Sequence, residues 1–329
     1  MAKSDDRNEN IASAQNPSAP KKTVTSATPR RERPATHQPS QPNPNRKKRV
    51  KYRSPAARAV IALLQIIGIG YAAILVVLVL MEDRLVYPGA YMKDDGKPVA
   101  EASSPVETVT YNSPGDIQLS GRLLERPGSR YTILFFHGNE SKAKWLDGWL
   151  IELSQQCDAT VMAAEYRGFE DDNTPNERGV IEDCVAASDY LCKRYDLKQT
   201  DLVLYGRSLG GGCAVAVASR NGAKALILES TFDRMFEVAA LRYPFVPVRF
   251  LMRNRYDSVA KLTVYKGPLI QVHSTDDQVI PFVRGKTLYD SARSDPKHFV
   301  EVSGVNHIES MPISVIEEIA AKLNEFTVE

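Results

Sequence analysis

The feature that most restricts the fold is a serine between a short apolar run and a glycine-rich helical stretch. Residues 202–205 predict a buried strand, Gly206-Arg207-Ser208-Leu209-Gly210 follows them, and residues 210–216 predict a helix. Strand, cramped turn and helix in this order are the context in which G-x-S-x-G marks a nucleophile elbow. A tight turn holding an ordinary serine is the alternative, but the flanking elements favour Ser208 as a nucleophile.

A serine hydroxyl becomes a good nucleophile only when a base removes its proton, so a histidine and an acid should follow Ser208 in the chain. His307 comes just after the last predicted strand, 299–302, where a loop can project its imidazole over the sheet edge. The other four histidines fit the role of base less well, since they lie in a polar arm, at the start of a strand or at strand ends: His37, His298, His137 and His273.

Two adjacent carboxylates compete for the role of acid. Asp276 and Asp277 both lie in the segment 273–281, and their spacing alone does not choose between them. An oxyanion produced at Ser208 would need two backbone N–H donors. The elbow predicts the N–H of Leu209 as one donor, and the segment 136–140, after a strand and before a helix, predicts that of Asn139 as the other.

Strand-like and helix-like runs alternate through the C-terminal part of the chain. Two strands form an opening hairpin, 106–111 and 117–124, and six more are predicted at 131–136, 160–164, 202–205, 225–228, 269–272 and 299–302. Helices are predicted at 141–156, 178–194, 209–220, 233–241, 282–293 and 312–326. This alternation predicts an α/β fold with a mostly parallel eight-stranded sheet flanked by helices.

A run of 23 residues without a charge, 59–81, predicts a single transmembrane helix. At about 1.5 Å per helical residue it spans a hydrocarbon core of about 30 Å. A core helix would rarely be apolar on every face, and Glu82-Asp83-Arg84 is not a signal-peptide cleavage site, so the helix is predicted to remain as a signal anchor.

The distribution of charge predicts the orientation of this anchor. Residues 1–58 hold 14 Lys and Arg against 4 Asp and Glu, whereas the rest of the chain holds 28 against 36. Seven basic residues lie at 46–58 and three at 84–97. The positive-inside bias therefore predicts a cytoplasmic N-terminus and a hydrolase domain on the extracytoplasmic side: periplasm, cell exterior or secretory lumen.

Composition separates the remaining segments and disfavours some kinds of site. Residues 1–58 predict a disordered basic arm, 82–104 a linker and 105–329 the folded domain. No nucleic-acid module accompanies the basic arm, so a nucleic-acid partner is not expected. The four cysteines lack the paired spacing of zinc ligands, so no metal or cofactor is expected, and disulfides stay open for an extracytoplasmic domain: Cys157, Cys184, Cys192 and Cys213.

From residue 82 onward the chain resembles the membrane-anchored α/β-hydrolase-domain-containing family, which includes α/β hydrolase domain-containing protein 13 and the Bem-type serine hydrolases. The landmarks that carry the resemblance lie at 83–88, 137–139, 166–169, 175–177, 206–211, 228–232, 273–281 and His307. It implies an α/β-hydrolase fold and a Ser-His-Asp mechanism on an ester, thioester or amide. Relatives in this broad group include enzymes without an established substrate.

The resemblance also implies a choice of acid. The family segment reads H-G-x-x-D-x-x-V-P, and aligning its ends on His273 and Pro281 puts Asp277 on the acid. The chain departs from the family at Ser274 and Asn306, where glycine is usual. Because these departures change loop geometry, Asp276 stays an alternative.

Residues 230–267, called the cap below, have an apolar and aromatic composition that fits either an acyl pocket or a helix packed on the sheet. The residues concerned are Phe232, Met235, Phe236, Tyr243, Phe245, Val248, Phe250 and Leu251. A basic fringe on the same segment suggests contact with anionic lipid headgroups: Arg242, Arg249, Arg253 and Arg255. Two further hypotheses stay open, a non-catalytic binding or chaperone-like module and a thioesterase at the cytosolic face.

Overall fold

A mostly parallel eight-stranded sheet forms the centre of the molecule. The computed structural model describes residues 54–94 and 104–327. Within them the strands are β1 Glu107–Ser113, β2 Ile117–Leu124, β3 Tyr131–Phe136, β4 Ala159–Ala164, β5 Leu202–Arg207, β6 Ala225–Glu229, β7 Leu269–Ser274 and β8 Lys297–Val302. Their order is β1-β2-β4-β3-β5-β6-β7-β8, and β2 pairs antiparallel with both β1 and β4. All eight predicted strands are confirmed.

Helices cover both faces of the sheet. They are α1 Pro55–Leu80, α2 Glu82–Val86, α3 Asp147–Cys157, α4 Glu177–Tyr195, α5 Leu209–Asn221, α6 Met235–Arg242, α7 Val248–Leu251, α8 Ser258–Leu262, α9 Phe282–Ser291 and α10 Ile313–Thr327. Each predicted helix is present. The predicted helix 141–156 begins later, because residues Ala143–Trp145 form a 3₁₀ turn before α3.

The core divides into two layers because successive side chains of a strand point to opposite faces. On β3, Leu134 and Phe136 belong to the layer that also contains residues of α4 and α5, whereas Ile133 and Phe135 belong to the layer with α3 and α10. Burying a side chain such as Leu134 fully contributes about 1.5–3 kcal/mol. The central strands are buried on both faces. The candidate residues Ser208, Asp277 and His307 instead follow the carboxyl ends of β5, β7 and β8.

Helix α1 has the length and composition of a membrane-spanning helix. Among the described residues it is the one helix long and apolar enough to cross a bilayer, and none of its residues is buried. A helix that exposes apolar side chains on all sides suits a hydrocarbon environment better than water. Residues 1–53 of the predicted arm, 1–58, lie outside the described residues.

The start of the predicted linker, 82–104, is packed against the folded domain. Glu82 and Tyr87 are buried, and the Tyr87 hydroxyl lies 3.0 Å from Asn254 Oδ1 and 2.9 Å from the Tyr256 hydroxyl. The sequence does not indicate this packing, because the partners lie some 170 positions later. Residues 95–103 of the linker lie outside the described residues.

The four cysteines are free thiols in the structure, so the disulfide left open by the sequence is absent among them. Cys157, Cys184 and Cys213 are buried. Burial raises the pKa of the Cys157 thiol to about 12, since a thiolate would lose its hydration there. These three thiols therefore behave as small apolar core groups.

Candidate active site

Ser208 occupies the turn between β5 and α5, in a backbone conformation that close packing forces. Its φ is 54° and its ψ is −118°, which is unusual for a residue with a side chain. The glycines on either side are sterically required, since a Cβ at Gly206 would lie 2.2 Å from the Gly210 carbonyl oxygen and one at Gly210 would lie 1.9 Å from that of Phe136. The Ser208 N–H donates to the Glu229 carbonyl at 2.9 Å and so ties the turn to β6.

His307 reaches Ser208 from the loop after β8. The distance from Ser208 Oγ to His307 Nε2 is 2.9 Å, and that from His307 Nδ1 to Asp277 Oδ2 is 2.7 Å. Because the carboxylate only accepts, Nδ1 carries the proton and Nε2 is left to accept from the serine hydroxyl. The three predicted residues therefore form one continuous hydrogen-bonded chain.

Asp277, and not Asp276, contacts the histidine. The Asp277 side chain is fully buried, and its other oxygen accepts from the N–H groups of Val279 at 2.9 Å and Ile280 at 2.8 Å. Burial opposes ionisation, but the hydrogen bond and charge of His307 and the Ile280 N–H outweigh it and lower the pKa of Asp277 below its ordinary value. Asp276 instead accepts from the Gly304 N–H at 2.7 Å and shapes the loop.

Arg207, the variable residue before the serine, holds the loop that carries His307. Its guanidinium donates to the carbonyl oxygens of His307 at 3.0 Å and Glu309 at 2.6 Å. The same guanidinium lies 3.2 Å from the carboxylate of buried Glu229, which also accepts from the Tyr205 hydroxyl at 2.6 Å. The sequence analysis did not predict this role for Arg207. The one feature of the sequence that could have indicated it is a charged residue directly before the nucleophile.

The loop predicted to supply the second oxyanion donor lies against the nucleophile. A Cβ added at Gly138 would be 3.4 Å from the Cβ of Ser208. The next residue, Asn139, is held by residues that precede the first strand. Its carbonyl accepts from the Gly89 N–H at 2.8 Å, and its side-chain amide donates to the Val86 carbonyl at 3.1 Å. Residues just after the apolar helix thus brace this loop, a contact that the sequence did not predict.

The N–H of Leu209 is the first of α5, so it belongs to the helix-terminal donors that lack an intrahelical partner. The positive end of the helix dipole adds to its attraction for an oxyanion. Leu209 follows Ser208 directly, and Asn139 follows Gly138, which lies against it. The catalytic roles of both N–H groups stay predictions.

The other described histidines have structural partners. His137 lies 3.0 Å from the buried carboxylate of Glu165, and half-buried His298 lies 2.9 Å from Glu318. His273 is fully buried and donates from Nε2 to the Ile280 carbonyl at 2.8 Å. Burial is the main reason why its pKa lies below the ordinary value.

An apolar pocket of about 440 Å³ adjoins the serine. Five of the eight cap residues proposed as lining do contribute to its wall: Phe232, Met235, Tyr243, Val248 and Leu251. Phe236 packs inward, whereas Phe245 and Phe250 project outward with 86% and 89% of their surface exposed. The volume suits a small organic ligand, since such pockets measure about 300–1,000 Å³.

The arginine fringe of the cap is largely paired within the chain. Arg249 lies 2.8 Å from Glu237, and Arg253 lies 3.1 Å from Glu82. Arg255 stacks over the ring of Phe236 at 4.2 Å.

Among residues 54–94 and 104–327, no group of three His, Cys, Asp or Glu side chains converges as a set of metal ligands.

Curated proteins with similar sequences include several α/β hydrolases. The chain is 30% identical to protein YfhR of Salmonella typhi over 243 residues, which cover 67% of this chain and 81% of that one. It is 31% identical over 186 residues to α/β hydrolase domain-containing protein 17C of Xenopus tropicalis, covering 56% of this chain and 58% of the relative. A Mycobacterium tuberculosis protein matches at 31% over 149 residues, 45% of this chain, and this match spans about half of that relative's length, 53%.

Solved structures share the fold. An esterase of Pyrococcus furiosus superposes with a TM-score of 0.58 at 17% sequence identity, over 70% of this chain and 98% of the esterase. At this identity the likeness establishes the fold. A protein-family model described as alpha/beta hydrolase fold matches residues 133–306, more than half of the chain. Together with the sheet order and the elbow at Ser208, this match shows that the chain belongs to the α/β-hydrolase-fold family.

Proposed function

We propose that the protein is a membrane-anchored serine hydrolase that cleaves an ester, thioester or amide through an acyl-enzyme. The observation that carries the proposal is the hydrogen-bonded chain from Ser208 Oγ through His307 to Asp277, with distances of 2.9 and 2.7 Å. Such a chain gives the serine a base and gives the base a fixed tautomer.

In the acylation step His307 takes the hydroxyl proton while Ser208 Oγ attacks the substrate carbonyl carbon. Asp277 is ionised and holds the imidazolium that forms. The backbone N–H groups of Leu209 and Asn139 stabilise the oxyanion, and His307 then protonates the leaving group. Water, activated by the same histidine, attacks the acyl-enzyme and releases the acid. Removing one such oxyanion donor typically costs about 10²–10³ in kcat.

The anchor and the domain boundaries belong to the same proposal. Residues 59–81 span the membrane, 1–58 form a cytoplasmic arm, and the domain from 105 onward works on the extracytoplasmic side. The length and apolar composition of α1 support the anchor. The excess of basic residues before it supports the orientation.

A fluorophosphonate probe tests the nucleophile directly, because it phosphonylates an activated serine. We expect wild-type protein to be labelled, Ser208→Ala to lose the label, and Ser219→Ala, which alters the same helix α5 away from the turn, to keep it. Labelling that persists in Ser208→Ala would refute the assignment. A folded wild type that reacts neither with the probe nor with short p-nitrophenyl esters would instead support the non-catalytic binding module.

A further inference from the structure

The pocket beside Ser208 is continuous with the end of the apolar helix. Its wall includes Ser208 and Leu209 from the elbow, Val238 and Ala239 from α6, and Leu78 and Val79 from the last turns of α1. Most of its other lining side chains are also apolar. An acyl chain whose carbonyl lies at the serine therefore has an apolar path toward the helix that we propose as the anchor.

Two attachments hold the cap along this helix. The Tyr71 hydroxyl donates to the Phe245 carbonyl at 2.6 Å. Near the end of the helix, the Arg253 guanidinium lies 3.1 Å from buried Glu82 and donates to the Val79 carbonyl at 3.3 Å. From Tyr71 to Leu80 the helix rises about 14 Å, at about 1.5 Å per residue. The cap thus follows the helix over roughly half the thickness of a hydrocarbon core of about 30 Å.

The tip of the cap, residues 241–250, exposes large apolar side chains beside Arg242 and Arg249, the second of which pairs with Glu237. Leu241, Phe245 and Phe250 project from it and are exposed. Two of its positions, 244 and 247, are proline and carry no N–H. The N–H groups of Tyr243, Val246 and Val248 donate to carbonyls within the cap. Lipid-exposed backbone needs internal partners of this kind, because hydrocarbon offers none.

We propose that the substrate is a long-chain acyl ester embedded in the bilayer, whose chain enters the pocket from the hydrocarbon between the end of α1 and the cap. This inference rests on the proposed function and on the anchor. The cap tip lies in the same leaflet as the substrate, so the chain reaches Ser208 without crossing water. The anchor then serves as part of the acyl-binding wall as well as a tether.

The pocket is tested with p-nitrophenyl acetate and octanoate in detergent micelles. Because each methylene buried in the pocket strengthens binding, we expect kcat/KM for octanoate to exceed that for acetate by about tenfold or more. Ala239→Phe fills the pocket and should lower the octanoate-to-acetate ratio by about tenfold. Ala240→Phe makes the same change one residue further along α6, at a side chain outside the pocket wall, and should leave the ratio unchanged.

The route through the bilayer needs a second measurement, on p-nitrophenyl palmitate held in phosphatidylcholine vesicles with the reconstituted protein. Replacing both Phe245 and Phe250 by Ser removes exposed side chains from the cap tip without opening the core. We expect this variant to lose about tenfold in vesicle palmitate hydrolysis, since less apolar surface enters the bilayer, and to keep acetate hydrolysis at the wild-type rate.

These outcomes separate the two proposals. If the fluorophosphonate probe labels Ser208 but rates fall with chain length, or the two Ala→Phe variants behave alike, the long-chain inference is wrong and the hydrolase proposal stands. Equal loss of palmitate and acetate hydrolysis in the cap-tip variant would likewise overturn entry from the bilayer. If no ester and no probe reacts with the folded wild type, the hydrolase proposal fails and the inference fails with it.

Discussion

Asp276 and Asp277 are identical side chains one position apart, and their surroundings give them different contacts. Asp277 turns inward, where two backbone N–H groups and His307 hold its carboxylate. Asp276 turns outward and accepts from the Gly304 N–H. Spacing left the two equivalent, because a turn can present either residue. In the structure, the contact with His307, thirty positions later, identifies Asp277 as the residue that can orient the base.

The pair offers a matched test of the acid. Asp277→Asn should lower kcat by about 10⁴-fold, because an amide at this position favours the wrong tautomer of His307. Asp276→Asn should stay within a few-fold of wild type, since it lies away from the imidazole. Hydrolysis of p-nitrophenyl acetate by both variants measures the difference. Similar losses of kcat in the two variants would show that the assignment of the acid role to Asp277 is wrong.

His273, whose Nε2 lies 3.6 Å from Asp277 Oδ2, makes the stability of the domain depend on pH. Its ring is buried and its folded-state pKa lies below the ordinary value of 6.5. As the pH falls through that ordinary value, the unfolded chain takes up a proton that the folded chain still excludes. The free energy of unfolding therefore falls with the pH in this window, by at most about 1.4 kcal/mol per pH unit for one group.

Melting curves at pH 7 and pH 5.5 test this contribution. We expect the Tm of the wild type to fall on acidification and that of His273→Asn to fall less. Each kcal/mol of difference in the free energy of unfolding corresponds to a Tm difference of about 2–4 °C. The pKa of Asp277 is also lowered, but from 3.8, so that group acts at a more acidic pH. An equal fall in the two proteins would mean that folding does not lower the pKa of His273.

Among the elements, the segment after the apolar helix has the clearest effect on the site. Gly89 approaches the oxyanion loop so closely that a Cβ there would lie 2.7 Å from the Asn139 carbonyl oxygen. Gly89→Ala should therefore displace Asn139 and lower kcat by about 10- to 100-fold. This loss is smaller than the one expected for complete removal of an oxyanion donor, because the Asn139 N–H is shifted and not lost. KM should change less, because the cap residues of the pocket wall are unaffected.

Gly148→Ala is the matched control, since a Cβ at that helix position meets no atom within 4 Å. Its kcat should equal that of the wild type, and its Tm should be equal or slightly higher, because alanine suits a helix better than glycine. A wild-type kcat in Gly89→Ala would show that the brace does not position the loop.

The elements differ in how well the sequence predicts them. Strands β3 to β7 were predicted because each is a short apolar run bounded by turn residues, and the sheet buries them on both faces. The elbow was predicted because its motif and the flanking strand and helix are adjacent in the sequence, and the histidine loop because it follows the last strand. Helices α2, α7 and α8 were not predicted, because runs this short carry no periodic pattern. The brace at Val86 and Gly89 was not predicted either, since its contacts with Asn139 join segments about fifty positions apart. The pairing of Arg207 with the histidine loop was missed for the same reason.

For the whole molecule, the two sides of the apolar helix differ in charge. Residues 1–58 carry a net charge of +10, from 14 basic and 4 acidic residues, and the remainder carries −8, from 28 and 36. Basic residues close to a membrane span resist translocation, whereas acidic ones have little effect. The cluster at 46–58 should therefore keep the N-terminus on the cytoplasmic side.

Protease treatment of sealed cells or vesicles tests this topology. With the extracytoplasmic side facing the protease, a C-terminal tag should be cut without detergent, whereas an N-terminal tag should be cut only after permeabilisation. A variant with Arg46, Lys47, Lys48 and Arg49 changed to Gln should protect part of its C-terminal tag, because the charge difference that orients the span is smaller. Protection of the wild-type C-terminal tag would place the domain at the cytosolic face. Ser208 would then act on substrates in the opposite leaflet, which is the thioesterase hypothesis that the charge asymmetry disfavours.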